Sequence, residues 1–302
     1  MNKTIVALIY DFDKTLSPRD MQEYGFMPGI GIEPAEFWGK CREFALKHQT
    51  DGILAYMCMM QQMARGRLDL TRDMLRRLGE TVEFFPGVET WFERVNDIGA
   101  SMGLQVEHYI ISSGLTEIIE GSRIGPEFKA IFAASFCYDE EDHPFWPATA
   151  VNYTSKTQYL FRINKGILDV TNDADLNAYT PEYKRRIPFS NMIYIGDGLT
   201  DVPCMKMTKQ KGGYSIVVHA PGSTQIADDM LLQGRADFAI EADYSAGGEL
   251  EAVVQDLMRR MTVTGKLSDR YADQVRSAHA RRRESMPLAI EMRGGLGEND
   301  FE

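Results

Sequence analysis

The sequence predicts an α/β protein: a doubly wound parallel sheet with an inserted all-helical segment. Three observations predict it. Short apolar runs bounded by glycine or polar residues recur along the 302 residues. Helical apolar patterns fall between them. The alternation breaks once, directly after the first run, where helical patterns follow one another without a strand.

The first run, TIVALIY (4–10), is apolar on both faces, as a strand buried in a parallel sheet should be. VEHYIISS (106–113) and NMIYIGD (191–197) read the same way, and FAASFCY (132–138), YSIVVHA (214–220) and ADFAI (236–240) add further strands. Between Leu16 and Phe85 only helices are expected: PAEFWGKCREFALKH (34–48), DGILAYMCMMQQMARG (51–66) and LTRDMLRRLGE (70–80). The core is therefore assigned to residues 1–16 and 86–265, and the helical insertion to 17–85. Phe84-Phe85-Pro86-Gly87 reads as the hinge back into the core.

The segment 87–103 places Val88, Trp91, Phe92, Val95 and Ile98 on one helix face. The segment 248–261 does so with Leu250, Val253, Val254, Leu257 and Met258. A smaller insertion is expected at 132–154, as a hairpin with a long acidic turn. Residues 266–302 form a C-terminal unit: a polar helix over 267–286, ending in Arg281, Arg282 and Arg283 on a solvated face, then a Gly-rich acidic end expected to be disordered.

Hydrophobic residues at 44% and charged residues at 25% place the chain among soluble globular proteins. A net charge of -11 disfavours nucleic acid and anionic membrane as partners, because like charges repel. It leaves room for a small anionic substrate in a locally positive pocket. Cysteines 41, 58, 137 and 204 show no CxxC spacing, which favours a reduced, cytoplasmic setting. Charge follows the first apolar stretch at once and no small-residue cleavage site appears, so it reads as a strand rather than a signal peptide. No window approaches the roughly 20 apolar residues of a membrane span.

Ligands bind at the carboxyl ends of strands in such sheets. The first strand ends in Asp11, Asp13 and Thr15, the second in Ser112, Ser113 and Gly114, and NMIYI in GDGLTD, with Asp197 and Asp201. Two aspartates one residue apart repel each other, so a metal or a catalytic task should offset that cost. Lys156 and Lys165 lie between the last two tips; Lys156, at the start of the helical pattern TQYLFRI, is favoured by position, with Lys165 kept open. Clustered acids without His or Cys suit Mg²⁺. A metal lets a carboxylate attack a phosphate dianion. One acid can then act as nucleophile and another can move protons. A serine hydroxyl and a lysine would hold the phosphoryl oxygens. Ser113 and Gly114 could add backbone N–H groups at a helix start.

These motifs resemble those of the haloacid dehalogenase superfamily. DFDKTL resembles its DxDxT signature, IISSG its second motif and GDGLTD its GDxxxD motif, in the family's order and strand context. The resemblance covers about residues 3 to 245. It implies a Rossmann-like core with the α-helical cap of the phosphoserine phosphatase-like branch. It also implies Mg²⁺-dependent hydrolysis of a small phosphorylated metabolite through an aspartyl-phosphate. In that frame Asp11 is the nucleophile. Asp13 protonates the leaving group, then activates water, and lends the metal its backbone carbonyl. Thr15 braces the loop and Ser112 binds a phosphoryl oxygen. Asp197 ligates the metal, and Asp201 does so through water or orients the lysine. An acid at position 13 sets phosphatases apart from dehalogenases in the family. The interval from Lys156 to Asp197 is longer than usual, and residues 169–186 are read as an insertion filling it.

Other readings compete. Phosphotransfer to another acceptor uses the same residues. DKT at 13–15 matches the motif of P-type ATPases, but the strand ends at Tyr10 and membrane spans are missing. A phospho-accepting receiver domain would carry an adjacent acidic pair and no cap. His108 reads as a core histidine and Met57, Met59, Met60 and Met63 as core of the insertion. Arg42, Arg65 and Arg67 read as solvated, the alternative being that they meet a substrate's negative group.

Overall fold

The computed structural model describes residues 3–284, the side chains of residues 183, 268, 269, 272, 283 and 284 excepted. Among the described residues, seven strands form one sheet in the order β4-β3-β2-β1-β5-β6-β7. They are β1 (Thr4–Tyr10), β2 (Leu104–Leu115), β3 (Ala130–Tyr138), β4 (Pro144–Thr149), β5 (Met192–Gly196), β6 (Tyr214–His219) and β7 (Phe238–Glu241). All pairings are parallel except β3 with β4, the hairpin expected near 132–154. β3 is also a full member of the main sheet, so only β4 and the turn are additions to it.

The first helices, α1 (Phe26–Ile30), α2 (Pro34–His48), α3 (Gly52–Ala64) and α4 (Arg72–Gly79), fill the segment between β1 and α5 (Val88–Ser101). Asp51 caps α3 by accepting from the N–H groups of Ile53 and Leu54, and Thr71 caps α4 through Met74 N–H. Met57 and Met60 are buried in the core these helices share with the sheet, with Met59 and Met63 packed against it. The remaining helices are α6 (Thr116–Gly121), α7 (Lys156–Lys165), α8 (Asp173–Asn177), α9 (Val202–Gln210), α10 (Gln225–Leu232) and α11 (Glu249–Glu284). α11 runs unbroken past residue 265, where the sequence reading placed a boundary. Its apolar positions up to Met261 pack on the core, and polar residues continue the same helix beyond it. The Gly-rich acidic end lies outside the described residues, as does the side chain of Arg283.

The chain leaves and re-enters the sheet at one tied point. Phe85 N–H donates to Leu16 O at 3.0 Å, and Tyr244 N–H to Pro86 O at 2.8 Å. Tyr244 also donates its hydroxyl to Thr15 O at 2.9 Å. Gly87 sits at φ 80°, and a Cβ there would lie 2.4 Å from Ser245 N. Glycine alone allows this close approach.

A polar chain crosses the core beneath β1. Trp91 Nε1 donates to Tyr10 Oη at 2.9 Å, Tyr10 Oη meets His108 Nδ1 at 3.0 Å, and His108 Nε2 meets Asn96 Oδ1 at 3.2 Å. The chain is consistent when Tyr10 donates to Nδ1 and the neutral imidazole carries its proton on Nε2. Burial pushes His108 down to about 3. Unfolding returns it to about 6.5, so the unfolded chain takes up a proton between those values and stability falls as pH drops below about 6.5. The loss approaches about 1.4 kcal/mol per pH unit. In denaturant titrations, the stability gap between wild type and His108→Gln should narrow from pH 7 towards pH 4; a constant gap would refute the buried neutral histidine.

Candidate active site

Register brings three strand ends level. Tyr10 pairs with Ile110 on β2 and with Ile195 on β5. The loops after them, carrying residues 11–17, 112–114 and 197–201, therefore emerge side by side. In the first loop the N–H groups of Leu16 and Ser17 both donate to Phe12 O, at 2.9 and 3.2 Å. Lys14 takes φ 59°, a left-handed conformation uncommon for a residue with a side chain. Asp11 Oδ1 accepts Phe12 N–H at 2.7 Å, which fixes the carboxylate at the strand tip.

Lys156, the first residue of α7, reaches into this tip and is fully buried. Its Nζ donates to Asp11 Oδ2 at 2.6 Å and to Asp201 Oδ1 at 2.8 Å. Burial works against its charge, but the two carboxylates outweigh it and hold the ammonium protonated. Lys165 lies at the far end of the same helix, about 13 Å along it. Its Nζ binds the carbonyls of Leu176 and Ala178, in the 169–186 insertion. The geometry therefore brings Lys156, and not Lys165, to the aspartates.

Ligand atoms of Asp11, Asp197 and Asp201 lie within 4.8 Å of one another. Burial, with Asp201 adding to it against Lys156, pushes Asp11 up to about 6. Burial together with Asp201 and Asp11 pushes Asp197 up to about 8. One buried ammonium therefore faces three carboxylates. Asp201 Oδ1 is occupied by Lys156 and by the Tyr194 hydroxyl at 2.7 Å, and Oδ2 accepts a long bond from Gly198 N–H at 3.4 Å. A Cβ on Gly196 would lie 2.5 Å from Asp201 Oδ2, so that glycine makes room for the acid.

Asp13 stands apart from this cluster. Its Oδ1 accepts Met21 N–H at 2.8 Å, and its Oδ2 would lie 3.1 Å from a Cβ on Gly114. Burial, then Asp20 and Asp11, raise its carboxyl well above the usual range. Thr15 is fully buried, and Ser112 nearly so. One expectation needs correction. Ser113 and Gly114 do not open a helix, because β2 runs to Leu115 and α6 begins at Thr116. Gly114 N–H is already taken by Ser112 Oγ at 3.1 Å, and Ser113 O accepts the Tyr56 hydroxyl at 2.8 Å. Gly114 instead supplies space: a Cβ there would strike Met21 Cε at 2.0 Å.

Besides Met21, which donates its N–H to Asp13, the insertion meets the site through two side chains, one on α3 and one at that helix's cap. Tyr56, on α3, holds the Ser113 carbonyl. Asp51, at the start of α3, takes Asn152 Nδ2 at 2.6 Å, four residues before Lys156. Tyr56, Asp51, Asn152 and Tyr194 were not singled out from the sequence. Only Tyr194 carried a local signal, as a hydroxyl inside an otherwise apolar strand just before GDGLTD.

No family model matches the sequence. An uncharacterized protein of Borreliella burgdorferi is 28% identical over 275 residues, covering 82% of this chain and 94% of that protein. A probable phosphoserine phosphatase from Vibrio cholerae, in unliganded form, shares the fold at a TM-score of 0.55 and 13% identity, over 87% of this chain and 67% of that one. The likeness is one of fold: an α/β sheet flanked by helices, as in that phosphatase. A HAD family hydrolase from Salmonella enterica serovar Typhi matches at a TM-score of 0.47 and 19% identity, over 74% of this chain; the chain spans 66% of that hydrolase.

The donor set at these strand ends fits a hard divalent cation. All three clustered side chains offer carboxylate oxygens, and their combined charge exceeds what Lys156 neutralises. Removing Lys156 would leave Asp11 and Asp201 facing each other in a buried site. Metal-free Lys156→Met should lose about 3–5 kcal/mol of stability at pH 8. Part of it should return as pH falls through the raised carboxyl range, because protonation ends the repulsion. Lys165→Met should show a smaller loss and no such recovery, and equal behaviour of the two variants in thermal melts would contradict the assignment.

Proposed function

We propose that the protein is a Mg²⁺-dependent phosphatase that hydrolyses a small phosphomonoester through an aspartyl-phosphate on Asp11. The observation that carries this reading is the Lys156 ammonium bridging Asp11 and Asp201 at a strand tip that also holds Asp197. The motif order supports it, as does the fold shared with the probable phosphoserine phosphatase of V. cholerae. Four unpaired cysteines agree with a reducing compartment such as the cytoplasm. Among the described residues, no helix is long and apolar enough to cross a membrane.

Each residue then has a task set by its surroundings. Asp11 Oδ2 attacks phosphorus as the ester oxygen leaves on the opposite side. Lys156 holds that carboxylate in place and offsets charge on the phosphoryl oxygens. Asp13, whose burial favours its protonated form, delivers a proton to the leaving oxygen. The carboxylate so formed takes a proton from the water that attacks the aspartyl-phosphate. Ser112 offers its hydroxyl to a phosphoryl oxygen. Asp11, Asp197, Asp201 and the Asp13 backbone carbonyl would hold Mg²⁺, directly or through water, which supplies charge neutralisation between carboxylate and phosphate. Asp201 is the less available of the acids, because one of its oxygens is already shared by Lys156 and Tyr194.

The helical insertion serves as the cap. It covers the site through Tyr56 and the Asp51–Asn152 bond, and it shields the acyl-phosphate from stray water until the cap opens.

Asp11→Asn should abolish hydrolysis of p-nitrophenyl phosphate, and chelation should do the same reversibly. Full turnover under either condition would rule the mechanism out. Tyr194→Phe removes one hydroxyl from a packed site and should lower kcat about 5- to 30-fold with little change in KM, the equivalent of about 1–2 kcal/mol. A rise in KM alone would place Tyr194 outside the positioning of Asp201.

A further inference from the structure

The hairpin between β3 and β4 meets the helical insertion along a seam. Arg72 N–H donates to Asp142 O at 3.1 Å, and the Arg72 guanidinium lies 3.4 Å from the Asp142 carboxylate and 4.3 Å from the Tyr138 ring centroid. His143 Nε2 pairs with Asp69 at 2.9 Å, and Gln61 Nε2 donates to Pro144 O. Beside these contacts lies a cavity of about 780 Å³, within the range of small-molecule sites. Its walls come from both bodies: the end of α3 and the 65–70 loop on one side, and 143–145 on the other.

The cavity is separate from the aspartate cluster, none of whose residues lines it. Ala64, on its wall, lies about 12 Å along α3 from Tyr56, the residue that touches the catalytic loop. Its chemistry is mixed. Arg65 and Arg67 line it, and among the described residues no carboxylate pairs with Arg65. Arg67 commits Nη1 to Ile30 O at 3.0 Å. The one acid on the wall, Asp69, is already matched by His143. Leu68, Leu70 and Phe145 add apolar surface, and the Phe145 ring is exposed beside the equally exposed Trp146. The lining itself carries two arginines against one aspartate in a chain of net charge -11, with Asp139 and Glu141 of the acidic turn on the far side of His143.

We propose that this cavity is a second ligand site, taking a small organic anion with a flat apolar body, and that its occupant clamps the insertion against the hairpin. A ligand touching both walls binds only while the two are juxtaposed, so it must favour that arrangement by its differential affinity. The site does not depend on the phosphatase reading, and its test needs no turnover.

The probe is anilinonaphthalene sulfonate, an aromatic sulfonate, titrated into the full chain with fluorescence detection. Saturable binding of one probe per chain is expected. Arg65→Ala and Phe145→Ser, each at an exposed side chain, should each weaken it at least fivefold. Binding without saturation, or with equal affinity in wild type and both variants, overturns the site. The clamp has its own readout in hydrogen exchange. The probe should slow exchange of the Arg72 amide, which donates across the seam to Asp142, at least threefold in wild type and not in Phe145→Ser. Unchanged exchange at saturating probe overturns the clamp.

Discussion

The buried ammonium of Lys156 is the constraint around which the site is organised. Four acids lie at the ends of β1 and β5, with Asp11 and Asp201 buried and Asp13 and Asp197 half-buried. Like charges at such spacing cannot all ionise in a low dielectric without a counter-charge. Lys156 supplies one, bonded to Asp11 and Asp201 together. The excess that remains falls on Asp197 and Asp13, whose carboxyls burial and their acidic neighbours push furthest towards the protonated form. The same imbalance suits the cluster to a divalent cation, since a bound ion would remove the repulsion that one ammonium leaves.

Placing that lysine takes cooperation from distant parts of the chain. α7 starts at Lys156 because the turn before it closes on itself: Ser155 Oγ bonds the Asn152 backbone in both directions, and Lys156 N–H donates to Asn152 O at 2.9 Å. Asn152 is in turn held by Asp51 of the insertion. The group that positions the lysine is thus also a point where the insertion rests on the sheet, so displacement of α3 is felt one helical turn from Nζ.

How much of this was legible in sequence differs by element. β1, β2 and β5 were readable because a strand buried on both faces must be apolar throughout, and Asp11, Asp13 and Asp197 stood out because such runs rarely end in clustered charge. The lysine was ambiguous because Lys156 and Lys165 share a helix, and helical spacing alone does not say which end meets the sheet. The continuity of α11 was hidden for another reason. Its apolar stripe stops near Met261 while the helix does not, and periodicity reports the packed face rather than the helix. Tyr56, Asp51 and Asn152 were invisible because their partners lie 57 and 101 residues away, and no local pattern encodes such a contact.

Access to the site follows from the same contacts. Asp11 is only 5% exposed beneath the insertion. Over the site the insertion is tied by Tyr56 to the Ser113 carbonyl, Asp51 to Asn152 and Met21 N–H to Asp13. Each is worth about 1 kcal/mol net, somewhat more where the carboxylate is charged. At its base the backbone bond between Leu16 and Phe85 keeps the two crossing strands together, whatever the insertion does. The insertion is also held by the Arg76–Glu120 ion pair and by Arg72 N–H on Asp142 O, so it is tied over the site, along the hairpin seam and at its root. Both acids of the Lys156 bridge lie on the sheet side of these ties, while Asn152, which holds the turn before Lys156, is bonded to Asp51 of the insertion.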